Sequence, residues 1–401
     1  LTLPVGEQPQ ARPPPAGPAS ALGLYVHWPY CARICPYCDF NVVRDRGERA
    51  IKARLVDAIL ADLAAQALLT GPMSLVSVFF GGGTPSLMDP EDVTRILETA
   101  QTLWTPSANL EVTLEANPTD AEASRFAALA RAGVNRLSLG VQSLDDRALV
   151  ALGRNHDAAT ARRAALVAAD AFPRLSIDLI HGLPGQDAAA WAEDLAAGVA
   201  LQPEHISAYE LTIEPGTAFD RAVRRGALSM PGEDARADLF ALTQDLLSAA
   251  GFEAYEVSNH ARGAQARARH NLVYWRGEDY VGVGPGAHGR LTLDGARWAL
   301  ESPRAIGDYM RAALDGGAGI ARQRLMPRDV ALERLLMGLR TVEGVCLTDL
   351  ASLGISEGKI ADFRGLLVIR EGRLIATSQG RPVLDSLIAH LADEAPSMCE
   401  S

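Results

Sequence analysis

From residue 21 onward, short aliphatic and β-branched runs alternate with longer, Ala-rich amphipathic segments, and this alternation restricts the chain more than any other feature. The runs are LGLYVHW (22–28), LVSVFF (75–80), LEVTLEA (110–116), NRLSLGVQ (135–142), LSIDLIHG (175–182) and HISAYELT (205–212). Helices are expected at about 48–69, 90–103, 120–132, 145–152, 158–171 and 187–200. Asp89-Pro90 supplies a start signal for the second helix, and Gly133 a stop for the third. Six such units predict an α/β fold, a partial (β/α)6 barrel. In folds of this kind the chemistry collects at the carboxyl ends of the strands, where the βα loops converge.

After residue 250 the elements shorten. Helices are expected near 328–340 and 347–354, then a hairpin in LLVIREGRLIAT (366–377) turning at Glu371-Gly372, then a helix over about 380–392. Helices followed by a hairpin form a winged-helix-like pattern. The chain therefore divides into a Pro-rich extended leader (1–20), a core (21–250) and a smaller C-terminal α+β domain (251–395). A formal net charge of -11 opposes a generic nucleic-acid surface, whose affinity comes from clustered Lys and Arg. No apolar run reaches the length of a membrane span, and the N-terminus lacks a basic region followed by an apolar core.

Three of the five cysteines, Cys31, Cys35 and Cys38, crowd into YVHWPYCARICPYCDF just after the first strand. Disulfide frameworks are not spaced this way, so a reducing, cytoplasmic setting is expected. Cys-x3-Cys-x2-Cys lets one loop bring three thiolates to a 4Fe-4S cubane and leave one iron open. A zinc site with His27 as the fourth ligand is the alternative. Cys346 and Cys399 read as one buried and one terminal thiol without chemistry.

Other strand ends add polar groups. The second strand runs into FFGGGTPS, where Gly82, Gly83 and Thr84 allow close backbone approach, with N–H groups expected to face a ligand. Glu115, Gln142, Arg154 and Asp178 fall at or beyond the ends of later strands. Carboxylates suit ribose hydroxyls and an ammonium, and Arg154 suits a carboxylate.

Cys-x3-Cys-x2-Cys after a Tyr-containing strand resembles the radical S-adenosylmethionine (radical SAM) superfamily. YVHWPYCARICPYCDF, FFGGGTPS, LEANP, RLSLGVQS, LGRNH and IDLIHGLPGQ occur in the order found in its branch of oxygen-independent coproporphyrinogen III oxidases and HemW-type heme chaperones. The resemblance implies a 4Fe-4S cluster on Cys31, Cys35 and Cys38. It also implies S-adenosylmethionine contacts from Tyr25, Tyr37, Gly82, Gly83, Thr84, Glu115, Gln142, Arg154 and Asp178. The decarboxylating oxidases carry a further cysteine two residues after the third; Phe40 stands there, which favours the chaperone branch. His270, Asn271, Tyr274 and Trp275 form HNxxYW, similar to the heme-associated signature of that branch. A neutral imidazole at His270 suits an axial iron ligand, and the aromatics suit a porphyrin face; a structural histidine beside core aromatics is the other reading. VGVGPGAHG follows, with His288 unassigned. The branch implies heme as cargo, apo-hemoproteins as recipients, respiratory membrane proteins among them, peripheral membrane association and a homodimer. The alternative is oxidative decarboxylation of coproporphyrinogen III.

Overall fold

The structure is a computed structural model that describes residues 20–315, 320–355 and 357–393. The Pro-rich leader up to residue 19 and Cys399 lie outside the described residues.

The six expected strands form at β1 (Ala21–Trp28), β2 (Ser74–Gly82), β3 (Thr105–Ala116), β4 (Arg136–Gln142), β5 (Arg174–His181) and β6 (His205–Glu210). They pair in parallel and in chain order, and β1 does not close onto β6. Leu22, Leu24, Val26, Val78 and Phe80 are buried completely, as apolar runs covered by crossover helices require. The helices begin where the sequence offers caps. Asp89 accepts from the Glu91 N–H ahead of α2 (Pro90–Leu103), Asp157 from Thr160 N–H ahead of α3 (Ala158–Ala171), and Asp187 from Ala190 N–H ahead of α4 (Ala188–Val199). The segment expected as one helix over 120–132 is two, Asp120–Ala123 and Phe126–Arg131. The Ser124 hydroxyl donates to the Ala121 carbonyl at 2.8 Å, a side-chain bond that competes with helix continuation.

The sheet runs past residue 250. The antiparallel strands β7 (Glu253–Ala254) and β8 (Asn259–Ala261) extend it beyond β6. On the other side β9 (Asp279–Val283) lies parallel to β1, followed by antiparallel β10 (His288–Leu293), β11 (Ala296–Glu301) and β12 (Ala321–Arg324). Val281, Val283, Leu291, Leu300 and Tyr309 belong to the main core, while a second core begins at Ala331. The change of core thus falls near residue 325 rather than at 250. The second core holds the helix Pro327–Gly338, a three-stranded sheet of Val345–Cys346, Leu367–Arg370 and Arg373–Ala376, and the helix Leu384–Asp393. Its hairpin turns at Glu371 and Gly372, both at positive φ, as a tight two-residue turn demands. Leu347–Leu353 is a 3-10 helix. Among the described residues no helix is long and apolar enough to cross a membrane.

Candidate functional site

Beyond β1 the segment Tyr30–Cys31 pairs with Val43–Arg44 and closes the cysteine loop. Cys31, Cys35 and Cys38 are free thiols, and with Tyr37 they line a cavity of about 430 Å³. The Cys38 N–H donates to the Cys35 carbonyl at 3.2 Å, turning the loop between them. Burial pushes the Cys31 thiol up to about 11 and also raises Cys38. Burial thus disfavours the Cys31 and Cys38 thiolates, which a bound cation would stabilise. Among the described residues no three His, Cys, Asp or Glu side chains gather closely enough for a single ion, whereas a cubane spans a wider gap. His27 cannot serve as the fourth zinc ligand in this fold. Its Nε2–H donates to the Asn41 carbonyl at 2.9 Å, and its Nδ1 accepts from the Tyr25 hydroxyl at 3.0 Å.

The strand ends form the facing wall. Gly82 has φ 106°, and a Cβ there would stand 2.5 Å from the His27 ring, so only glycine fits. The glycine-loop N–H groups, expected to face a ligand, are satisfied within the fold. Gly82 N–H donates to Glu115 Oε2 at 3.2 Å, Gly83 N–H to the Trp28 carbonyl at 2.7 Å, and Thr84 N–H to the Tyr30 carbonyl at 2.8 Å. The loop provides space and a positioned carboxyl rather than open donors. Glu115 is driven up to about 8, by burial and then by the charge of Asp178, against the Gly82 hydrogen bond. Burial raises Asp178 too, although Ser138 donates to it at 2.8 Å and Ser176 at 3.3 Å. Two buried carboxyls facing one cavity suit a cationic ligand, although Arg136, which also lines the cavity, acts against the rise of Asp178.

Gln142 follows an irregularity in β4 and holds φ 67°, unusual for a non-glycine residue. That backbone turns its amide into the cavity. Arg154 Nη2 donates to Asn117 Oδ1 at 2.6 Å and to the Gly140 carbonyl at 2.9 Å, and Nη1 to Cys35 Sγ at 3.3 Å. Its buried Nε has no partner among the described residues. Tyr25 stands apart from this group and lines a second cleft.

Sequence reasoning missed Asn117, Ser138, Ser207 and Tyr209, which also line the cysteine cavity. Ser138 lies opposite Glu115 in the sheet, and Ser207 opposite Asp178. Alternation along the strands carried the signal: Ser138, Gly140 and Gln142, then Ser176 and Asp178, then Ser207 and Tyr209.

The second cleft, about 660 Å³, adjoins the first through Phe40, Gly82, Glu115, Tyr209 and Asn271. Tyr274, Trp275 and Tyr280 line it, as do Val330 and Met337 of the helix Pro327–Gly338. His270, expected as an iron ligand, lines neither cavity. Its buried ring has Nδ1 at 2.9 Å from the Ser77 hydroxyl and Nε2 at 2.7 Å from the Tyr274 hydroxyl, and stacks on Phe79 at 5.1 Å. Burial lowers it to about 3, so it is neutral. With both nitrogens engaged, the structural reading of His270 fits this geometry and iron ligation does not.

A wall of consecutive parallel strands with a three-thiol loop beyond the first is the architecture of radical SAM proteins. Residues 25–196 match the family model described as Radical SAM superfamily. The chain is 41% identical over 399 residues to "Radical S-adenosyl methionine domain-containing protein 1, mitochondrial" of Bos taurus, covering 94% of this chain and 88% of that one. It is 35% identical over 379 residues to "Heme chaperone HemW" of Mycobacterium tuberculosis, covering 93% and 95%. Among solved structures it resembles coproporphyrinogen III oxidase (HemN) from Escherichia coli, with a TM-score of 0.76 at 21% identity, over 94% of this chain and 91% of that one. The chain belongs to the radical SAM superfamily and, within it, to the HemW group.

Proposed function

We propose that this chain is a heme carrier that holds a 4Fe-4S cluster and S-adenosylmethionine beside the heme and passes heme to apo-hemoproteins. One observation carries the reading: the thiol-lined cavity opens beside a larger cleft with aromatic walls and arginines, spacious enough for a porphyrin. The name of the Mycobacterium tuberculosis relative supports it. Cys31, Cys35 and Cys38 would hold the cluster, which when bound supplies an electron to the sulfonium of S-adenosylmethionine. Glu115 and Asp178 present negative charge to that ligand, Gln142 offers an amide, and Gly82 leaves room. Tyr25 and Tyr37 line the two cavities on either side of the shared wall. Phe40, half of whose surface or more is exposed, borders both cavities where a decarboxylating relative is expected to carry a cysteine.

Anaerobic reconstitution tests this reading. The expected product carries about four irons per chain, loses them in Cys38→Ser, binds hemin, and transfers it to an apo-hemoprotein. Formation of protoporphyrinogen from coproporphyrinogen III would instead establish the decarboxylase.

A further inference from the structure

We propose that His288, not the HNxxYW histidine, supplies the axial nitrogen to heme iron in the larger cleft, and that Arg304 receives a heme propionate. The assignment rests on the heme reading above and identifies the groups that would recognise the ligand.

The cleft is lined by histidine at His27 and His288. His27 has both ring nitrogens occupied by Tyr25 and Asn41. His288 is exposed, and its imidazole has no hydrogen-bond or ring partner among the described residues. It opens β10, and Arg290, two residues on, shares its side of the strand and also lines the cleft. An imidazole with a free nitrogen, on a sheet strand and bordering a cavity with aromatic walls, is what iron ligation needs. An imidazole locked between two hydroxyls, as at His270, is not.

The arginines sort in the same way. Arg290 is paired with Glu333 at 2.8 Å, Arg297 with Asp279, and Arg340 with Asp385 at 3.0 Å. Arg334 donates to the Arg276 carbonyl. Arg304, also exposed to the cleft, has no hydrogen-bonded or ion-pair partner among the described residues. A guanidinium without a carboxylate is suited to a ligand's own carboxylate, which it can engage through two parallel hydrogen bonds.

The backbone joins these two groups. Gly286 N–H donates to the Pro303 carbonyl at 3.0 Å and Ser302 N–H to the Ala287 carbonyl at 2.9 Å, so the turn before His288 lies against the segment before Arg304. The Asn41 amide donates to the carbonyls of both Pro285, at 2.9 Å, and Arg304, at 2.8 Å. Gly286 has φ 75°, and a Cβ there would come within 2.8 Å of that amide. Asn41 belongs to the cysteine loop, three residues past Cys38. One side chain thus ties the expected cluster loop to the turn carrying His288, and VGVGPGAHG acquires a role that its sequence alone did not assign.

The test uses the anaerobically reconstituted chain with two probes, hemin and metal-free protoporphyrin IX. Ferric heme is followed by electron paramagnetic resonance, in which the oxidised cluster is silent. His288→Ala is expected to lose the histidine-ligated signature and bind hemin about tenfold or more weakly, with protoporphyrin IX binding unchanged and the signature restored by added imidazole. Arg304→Gln is expected to weaken both probes and leave the signature intact. Hemin binding with unaltered signature and affinity in His288→Ala would overturn the iron assignment, and unchanged binding of both probes in Arg304→Gln would overturn the propionate contact. Failure of the wild-type chain to bind hemin would overturn the heme reading and this assignment together.

Discussion

At the residue scale, Gln142 shows how a site can shape the backbone against its local preference. A non-glycine residue in the left-handed region costs on the order of 1 kcal/mol, sustained only when the surroundings enforce it. Here the end of β4 enforces it, and the amide faces the cavity. Gln142→Gly should therefore retain or raise stability by about 1 kcal/mol while lowering affinity for S-adenosylmethionine. Urea unfolding beside equilibrium dialysis of the cofactor separates the two effects. Gln142 was legible in the sequence as a polar residue ending a strand; its positive φ was not, because φ depends on the register between β4 and β5. His270 shows the opposite case. Its motif pointed to heme, yet Ser77, 193 positions away in the chain, takes one of its nitrogens.

At the scale of elements, the helix α1 (Arg49–Thr70) contains a buried carboxyl that links distant parts of the core. The Tyr309 hydroxyl donates to Asp62 Oδ2 at 2.9 Å and accepts from Gly284 N–H at 2.9 Å. Burial pushes Asp62 up to about 6, although the bonds from Tyr309 and Gln66 act the other way. Between the ordinary carboxylate value and 6 the unfolded chain binds fewer protons than the folded one, so stability falls as pH rises across that interval. The loss should approach about 3 kcal/mol and be complete above pH 6. Asp62→Asn should remove this dependence and be more stable than wild type at pH 7: its Oδ1 can still accept from Tyr309, and the Gln66 amide, whose Nε2 donates to Asp62 Oδ1 at 3.4 Å in the wild type, can turn over to accept from Nδ2 through its unpartnered Oε1. Chemical denaturation of both chains at pH 4.5 and 7.5 should show a smaller fall in stability for Asp62→Asn than for wild type; an equal fall would refute the assignment.

At the scale of the whole molecule, the parallel sheet does not end where the sequence pattern changes. A chain ending at residue 250 would expose the edge of β1 that β9 covers through five register pairs, and would lose Val281, Val283, Leu291, Leu300 and Tyr309 from the core. It should aggregate, whereas a chain ending at 325 should remain soluble with a cooperative thermal transition; light scattering and circular dichroism compare them. The six strand–helix units, the polar groups at their carboxyl ends and the three-cysteine loop were legible because each depends on periodicity or spacing within one segment. The late parallel strand β9, the satisfied glycine-loop amides, the locked imidazole of His270 and the free one of His288 were not. Each depends on a partner brought from far along the chain. Local sequence determined which elements form and which polar groups stand at their ends, since those follow from side-chain pattern and capping. Tertiary structure alone decided which of those groups keep a free donor, acceptor or lone pair, because a hydrogen bond within the fold removes from a ligand what the same residue type could otherwise offer.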